Sequence, residues 1–148
     1  MIVEERFTIG ALPADVWRFF LDVPRAAACM PGVERVEQVD DRNYRGNIQV
    51  KIGPLRAGFA MDVAIDELRP PEQIRLSARG SDRGTSSTVD AKAIIAIRPD
   101  GEMRSDVSLT VDLALRGPLG RFGQVVIQDT VRKLTAQFVA CAEQEARR

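Results

Sequence analysis

From Tyr44 to Arg116 the chain alternates apolar and polar positions almost without a break. Leu55, Ala57, Phe59, Met61, Val63 and Ile65 share one parity, with Arg56, Asp62 and Asp66 on the other. The alternation returns at Met103, Val107, Leu109, Val111, Leu113 and Leu115, set against Arg104, Asp106, Ser108, Thr110, Asp112 and Arg116. A period of two marks strands with one dry face and one wet face. Residues 2–9 predict an earlier strand, with Val3, Phe7 and Ile9 on one parity. Further strands are expected over 44–52, 55–69, 73–79, 86–98 and 103–116. Over 33–39 the valines Val33, Val36 and Val39 stand three apart, so a strand there calls for a bulge.

Two segments carry the other period. Pro13 suits the first turn of a helix and Asp15 its positive end, before Val16, Trp17, Phe20 and Leu21 repeat at helical spacing. Pro24 ends that helix, and residues 25–30 predict a second short one stopped by Pro31-Gly32. After Gly117-Pro118-Leu119-Gly120 a long helix runs to about Glu145. Its wheel gathers Leu119, Gly123, Val126, Ile127, Thr130, Leu134, Phe138 and Cys141 on one stripe, leaving Phe122, Val125 and Val139 outside it.

An antiparallel sheet with one wet face needs a cover for its dry face, and only one long helix is available. An apolar cavity between the two is therefore expected. Its candidate lining is drawn from Trp17, Phe20, Ile48, Val50, Phe59, Met61, Leu76, Val89, Leu109, Leu113, Val126 and Leu134, some of which must pack as core. Hairpin connections alternate between the two ends of such a sheet. The turns at 40–42, 70–72 and 99–101 are polar or rigid, whereas those at 30–33, 53–55 and 117–120 set apolar side chains beside Gly and Pro. Met30, Val33, Pro54, Leu55, Leu119 and Phe122 are accordingly expected to form a cavity rim, open to a bilayer surface or a partner.

Composition narrows the chemistry. The 148 residues suit one domain with its own core. Lysines and arginines number 21 and aspartates and glutamates 21, a balance that argues against a nucleic-acid partner. The N-terminus has Glu4 and Glu5 where a signal peptide needs bases, and no run approaches the roughly 20 apolar residues of a membrane span, so a cytoplasmic location is expected. There is no histidine, which removes the commonest general base, the commonest zinc ligand and every Ser-His or Cys-His pair. Cys29 and Cys141 are too few and too far apart to suggest a metal site or a disulfide framework. No metal, no cofactor, no catalytic residue and no intrinsic turnover are expected. Gly117 to Gly123 has the glycines of a phosphate loop, but Pro118 removes an amide a phosphate would need. Lys92 is opposite in parity to Ile95 and Ile97, which places it in solvent. Tyr44, the single tyrosine, lies on the inward parity and could orient a polar substrate with Glu67 or Ser87.

The order strand, two short helices, six strands, long helix resembles that of the START-like (SRPBCC, helix-grip) superfamily over the whole chain. Within it the chain is similar to the family of the small G subunit (CoxG) associated with aerobic carbon monoxide dehydrogenase. The residues behind this are Pro13-Ala14-Asp15-Val16-Trp17, Cys29-Met30-Pro31-Gly32-Val33-Glu34, Tyr44-Arg45-Gly46 and Val50-Lys51-Ile52-Gly53-Pro54. Ala78-Arg79-Gly80 with Gly84, and Gly117 to Gly120 with Phe138, also look like that family. The resemblance implies an α+β helix-grip fold, a curved seven-stranded antiparallel sheet wrapped around a long C-terminal helix. It further implies a non-enzymatic accessory protein that binds a lipid-like molecule, such as an isoprenoid quinone, and assists a molybdenum hydroxylase at the membrane. Members often carry a further C-terminal extension for membrane attachment, whereas this sequence ends at Arg148. Transient docking through the rim at the inner face of the membrane is therefore the expected mode. The alternative is an enzyme of the polyketide cyclase or aromatase kind, which uses the same fold.

Overall fold

The computed structural model describes residues 1–147 of the 148. Seven strands form one antiparallel sheet: β1 (Ile2–Ile9), β2 (Val33–Gln38), β3 (Asn43–Ile52), β4 (Leu55–Arg69), β5 (Gln73–Asp82), β6 (Ser87–Pro99) and β7 (Ser105–Arg116). Their spatial order is β1-β7-β6-β5-β4-β3-β2. Helices α1 (Pro13–Leu21) and α2 (Val23–Ala28) follow β1, and α3 (Gln124–Ala146) closes the chain over the dry face. This is the expected helix-grip architecture.

The anticipated bulge in β2 falls between Glu34 and Glu37, with Arg35 at φ 51°. A second bulge, between Ile65 and Glu67 in β4, was not legible from the alternation. It shifts the parity there by one residue, so that Leu68 rather than Glu67 continues the dry row, opposite Ile74. The helix boundaries also differ from expectation. Pro24 opens α2 as a first-turn residue instead of ending α1, because a proline lacks only an N–H that the first turn leaves unpaired. Pro118–Arg121 is a separate 3-10 turn, and extended backbone at Phe122 and Gly123 interrupts the chain before α3. The inward stripe of α3 is therefore set by Ile127, Phe138, Ala142 and Ala146, all buried.

Cys29 and Cys141 form a disulfide, against the expectation that they were too far apart to pair. The sheet's curvature brings the C-cap of α2 onto α3, and the two Cα atoms stand 5.4 Å apart despite a sequence separation of 112. Next to the bond, Arg25 pairs with Glu145 at 3.4 Å and donates to the Glu145 carbonyl. Gly10 N–H donates to Glu143 Oε1 at 3.1 Å, and Arg147 Nε donates to the Gly10 carbonyl at 2.6 Å. The C-terminal half of α3 is thus fastened to both the β1–α1 turn and α2.

The dry face does not form one continuous core. One cluster sits at the end bearing the polar turns and gathers Ile9, Val16, Trp17, Phe19, Ile74, Ile97, Val107, Phe138 and Ala142. A smaller cluster sits at the opposite end: Ile52, Ala57, Phe59 and Leu119, with Phe122 and Val126 against them. Three connections meet at this second end. Gly53 of the β3–β4 turn lies against the Phe122 ring, Gly117 lies against the Ser86 backbone, and the Leu119 N–H donates to Ser87 Oγ at 3.2 Å.

Candidate ligand cavity

Cross-strand register sets Tyr44, Val63, Ala78, Ala91 and Leu113 in one inward row across β3, β4, β5, β6 and β7. Ala93 and Val111 continue the same face one step toward the first cluster. Of these seven, only Tyr44 is buried; Val63, Ala78, Ala91, Ala93, Val111 and Leu113 are half-buried and belong to neither packed cluster. The helix repeats the pattern. Ile127 and Phe138 are buried, while Val131 and Leu134, between them at helical spacing, are only half-buried. The backbone of α3 packs chiefly on β1, β3 and α1, towards the borders of the sheet. Between the two cores lies a waist of half-buried apolar residues on the sheet and on α3.

Polar groups near the waist are already engaged. The hydroxyls of Thr130 and Thr135 donate to the carbonyls of Val126 and Val131, at 3.0 and 2.8 Å, which leaves their methyl groups to face outward. Glu5 shares β1's inward parity with Val3 and Phe7, opposite Leu109, and is half-buried.

A cleft of about 720 Å³ runs between the β3 edge and α3, with Pro31, Gly32, Val50, Gly53, Val125, Val126 and Leu134 among its walls and Gln49, Lys51, Gln128, Arg132, Lys133 and Gln137 around it. Leu134 belongs to both cleft and waist. The cleft lies where β2 pairs with β3 only as far as Ile48 and Gly32 engages the Gln49 N–H, leaving residues 50–52 as a free edge. A larger concavity, about 960 Å³, lies over the wet face of the sheet, and Tyr44, Val63, Ala78 and Ala91 of the inward row also line it. No helix residue lines it, and ion pairs cross it: Arg45–Asp62, Arg79–Asp90 and Arg116–Asp90. Lys92 is exposed on that face, as its parity required.

The twelve lining candidates are distributed unevenly. Leu113 and Leu134 lie at the waist. Trp17 is in the first cluster, with Phe20, Leu76 and Leu109 packed on it. Phe59 is in the second, with Ile48, Val50, Met61, Val89 and Val126 packed on it. Of these, Val50 and Val126 also line the cleft. Phe20 is committed by its ring stack on Phe138, 5.9 Å between centroids. The waist residues absent from the twelve candidates are Val63, Ala78, Ala91, Ala93, Val111 and Val131, together with Glu5. Their signal was parity alone, which small side chains carry as faithfully as large ones.

The rim candidates also divide. Pro54 and Leu55 are exposed at the β3–β4 turn and Phe122 is half-buried beside them. Leu119 is fully buried, so it is a core plug of this end and not a rim residue. Met30 packs on the first cluster, at the other end of the dry face, and Val33 is half-buried opposite Ile48.

Glu67 and Ser87, either of which was expected to act with Tyr44, are each engaged with other groups. Glu67 is held by Arg69 at 2.8 Å and Arg75 at 3.4 Å, and the Arg69 hydrogen bond keeps its carboxyl below the usual carboxylate range. Ser87 Oγ accepts from Leu119 N–H and donates to the Thr85 carbonyl at 3.4 Å. Among the described residues no helix is long and apolar enough to cross a membrane.

Comparison with known proteins adds the family. No curated protein matches the chain in sequence. A conserved protein from Geobacillus kaustophilus has a crystal structure that superposes with a TM-score of 0.90, at 16% identity over 99% of this chain and 95% of that one. A START superfamily protein from Mycobacterium smegmatis gives 0.75 at 11% identity, covering 98% and 96% of the two chains. The Zhui aromatase/cyclase from Streptomyces sp. R1128 gives 0.68 at 17% identity, covering 99% and 93%. At these identities the likeness establishes the fold. The family model of the carbon monoxide dehydrogenase G subunit (CoxG) matches residues 6–147, nearly the whole chain. The chain belongs to the CoxG family, that of the G subunit of carbon monoxide dehydrogenase.

Proposed function

We propose that this protein carries one hydrophobic, lipid-like molecule and acts as a non-enzymatic accessory to a molybdenum hydroxylase at the membrane. The observation that supports this most is the half-buried apolar waist. Six strand residues and two helix residues, all apolar, are half-buried and belong to neither packed core. A fold that leaves such surface unpacked forgoes roughly 25 cal/mol for each Å², and a guest with an apolar body recovers it. The cleft is within the size of ordinary small-molecule sites, and its amides at Gln49, Gln128 and Gln137 offer donors to a carbonyl-bearing headgroup. An isoprenoid quinone combines such a headgroup with a long apolar tail. Family membership supports a partner enzyme that delivers electrons to the membrane quinone pool, and with such a partner a quinone is the favoured cargo. A cytoplasmic site of action, peripheral to the membrane, keeps Cys29–Cys141 in a reducing milieu, so the redox state of the cell sets the fraction that carries the bond.

Native mass spectrometry of the purified protein, followed by organic extraction, tests the reading. The expected result is one lipid-like molecule per chain. A protein that is ligand-free as isolated and takes up no quinone or lipid on incubation would contradict it. The fold of the Zhui aromatase/cyclase keeps a second reading in view, an enzyme acting on a hydrophobic substrate in the same space. Turnover of an aromatic polyketide precursor by the purified protein would favour that reading. The engagement of Glu67 and Ser87 in structural bonds argues against it.

A further inference from the structure

Tyr44 stands apart among the polar residues of the inward face. It is the single tyrosine of the chain, and only 7% of it is exposed. Register places it in the inward row beside Val63, and it belongs to neither packed cluster. A buried tyrosine ordinarily gives its hydroxyl a partner. Among the described residues Tyr44 makes no hydrogen bond and no ring contact. The hydroxyls of Ser87 and Ser105, by contrast, donate to the carbonyls of Thr85 and Ala11, and those of Thr130 and Thr135 to carbonyls of their own helix. The Tyr44 oxygen is not sealed away either. Among the described residues the side-chain polar atoms both enclosed and unpartnered are Gln73 Oε1 and Arg75 Nε. The Tyr44 hydroxyl therefore borders open space although nearly all of the residue is covered.

Charge narrows what that hydroxyl could hold. The inward positions of β1 and of β3 to β7 carry no lysine or arginine. Of the two acids there, Asp82 is bound by the Thr85 hydroxyl and the amides of its own loop, which leaves Glu5. A carboxylate or phosphate headgroup would find no counter-charge on such a face, and an uncompensated buried charge is costly. A phenolic hydroxyl is an uncharged donor and suits an uncharged carbonyl.

Position adds an orientation. Ile48 and Val50 share the inward parity of Tyr44 on β3, and Val50 lines the cleft. The strand between Tyr44 and Val50 is about 20 Å long, a distance that a prenyl tail covers. We propose that Tyr44 positions the headgroup of the cargo, its hydroxyl donating to a neutral carbonyl while the apolar tail runs back along β3 to the cleft. The cleft amides of Gln49, Gln128 and Gln137 meet the headgroup on its way in, and Tyr44 holds it. This rests on the carrier reading and deepens it, naming the donor and excluding anionic lipids as cargo.

Calorimetric titration of ligand-free parent and Tyr44→Phe with three probes provides the test. The probes are a short-chain prenyl naphthoquinone, the same prenyl chain on naphthalene, and oleate. Phenylalanine keeps the ring and removes a hydroxyl that serves no other residue, so the thermal midpoint of ligand-free protein should not change. One hydrogen bond corresponds to roughly two- to tenfold in affinity. The variant should lose that much for the naphthoquinone and nothing for the prenyl naphthalene. The infrared carbonyl stretch of the bound naphthoquinone should lie lower in the parent than in the variant, a signature that a merely structural role would not produce. Oleate should bind the parent on the order of tenfold more weakly than the naphthoquinone, or less. Equal weakening for both prenyl probes, an unchanged naphthoquinone affinity and carbonyl stretch, or oleate binding as tight as the quinone would each overturn the proposal. So would a lowered midpoint, which would mean that the hydroxyl serves the fold. A parent that binds both prenyl probes equally keeps the carrier reading and sinks only this proposal, whereas a parent that binds none of the three sinks both.

Discussion

Gly32 shows how one residue fixes the geometry of the cleft. Its φ is +84°, and a Cβ there would sit 2.1 Å from the Gln49 carbonyl oxygen, while its own carbonyl accepts from Gln49 N–H at 2.9 Å. The Pro31-Gly32 segment is thereby held against β3 where β2 has stopped pairing. Gly32→Ala combines a backbone clash with a disfavoured conformation and should cost at least about 1–3 kcal/mol, read as a lower denaturant midpoint. Leu119 and Leu55 make a second contrast. Leu119 is 0% exposed and Leu55 38%, so Leu119→Ala should cost about 2–5 kcal/mol and Leu55→Ser about 0.5 kcal/mol or less. Similar losses in the two would mean that the corner end is not a packed core. Carboxylates supply the pH dependence. Asp82 is held below its ordinary pKa chiefly by the Thr85 hydroxyl and also by the Gly84 and Thr85 amides, and Asp40 by the Arg42 amide and the Asn43 side chain. A depressed folded-state pKa stabilises above the unfolded value, and the benefit disappears as pH falls through the folded one. Stability should hold near neutrality and decline below about pH 4. Asp82→Asn should be less stable at neutral pH and show a smaller part of that decline.

At the scale of elements, the disulfide and the helix α3 matter most. The bond joins α2 to α3 across a separation of 112 residues, a loop long enough for cross-linking to contribute about 4–5 kcal/mol by restricting the unfolded chain. Cys29→Ala with Cys141→Ala should show a loss approaching that size in equilibrium unfolding, and equal midpoints for variant and parent would argue against a formed bond. This was the feature least legible in the sequence, because two cysteines carry no periodicity and their proximity follows from the curvature of seven strands. The strands themselves were legible: the alternation over β4 and β7 is unambiguous, and even the β2 bulge was announced by valines three apart. The β4 bulge was not, since Glu67 and Leu68 fit either register until Ile74 and Arg75 are known to stand opposite them. Helix ends were blurred for a related reason. Pro24 and Gly123 suit a start as well as a stop, and only neighbouring packing decides between them. The candidate site suffered from a bias toward large residues. Trp17 and Phe59 were natural choices for a cavity wall, but both are buried in packed clusters. Ala78, Ala91 and Ala93 were visible on the inward parity throughout.

The whole molecule is two cores joined by a half-buried apolar waist, and the proposed cavity at that waist makes an energetic prediction. Inserting bulk into a packed interior costs about 1–3 kcal/mol, whereas bulk added at an empty waist gains buried surface. Ala91→Phe, in the centre of the inward row, should leave the thermal midpoint of ligand-free protein unchanged or raised. The same substitution removes the room a guest requires, which links stability and binding in one variant. Trp17 makes the binding observable. It is the single tryptophan, it lies in the cluster adjoining the waist, and quinones quench indole fluorescence at short range. The most direct measurement is a titration of ligand-free protein with a short-chain isoprenoid naphthoquinone, followed by Trp17 emission, in parent and Ala91→Phe side by side. Saturable quenching at one quinone per chain in the parent, with the variant folded but weakened at least tenfold, is the predicted result; linear, unsaturable quenching in the parent, or identical saturation in both, would contradict a ligand cavity at the waist.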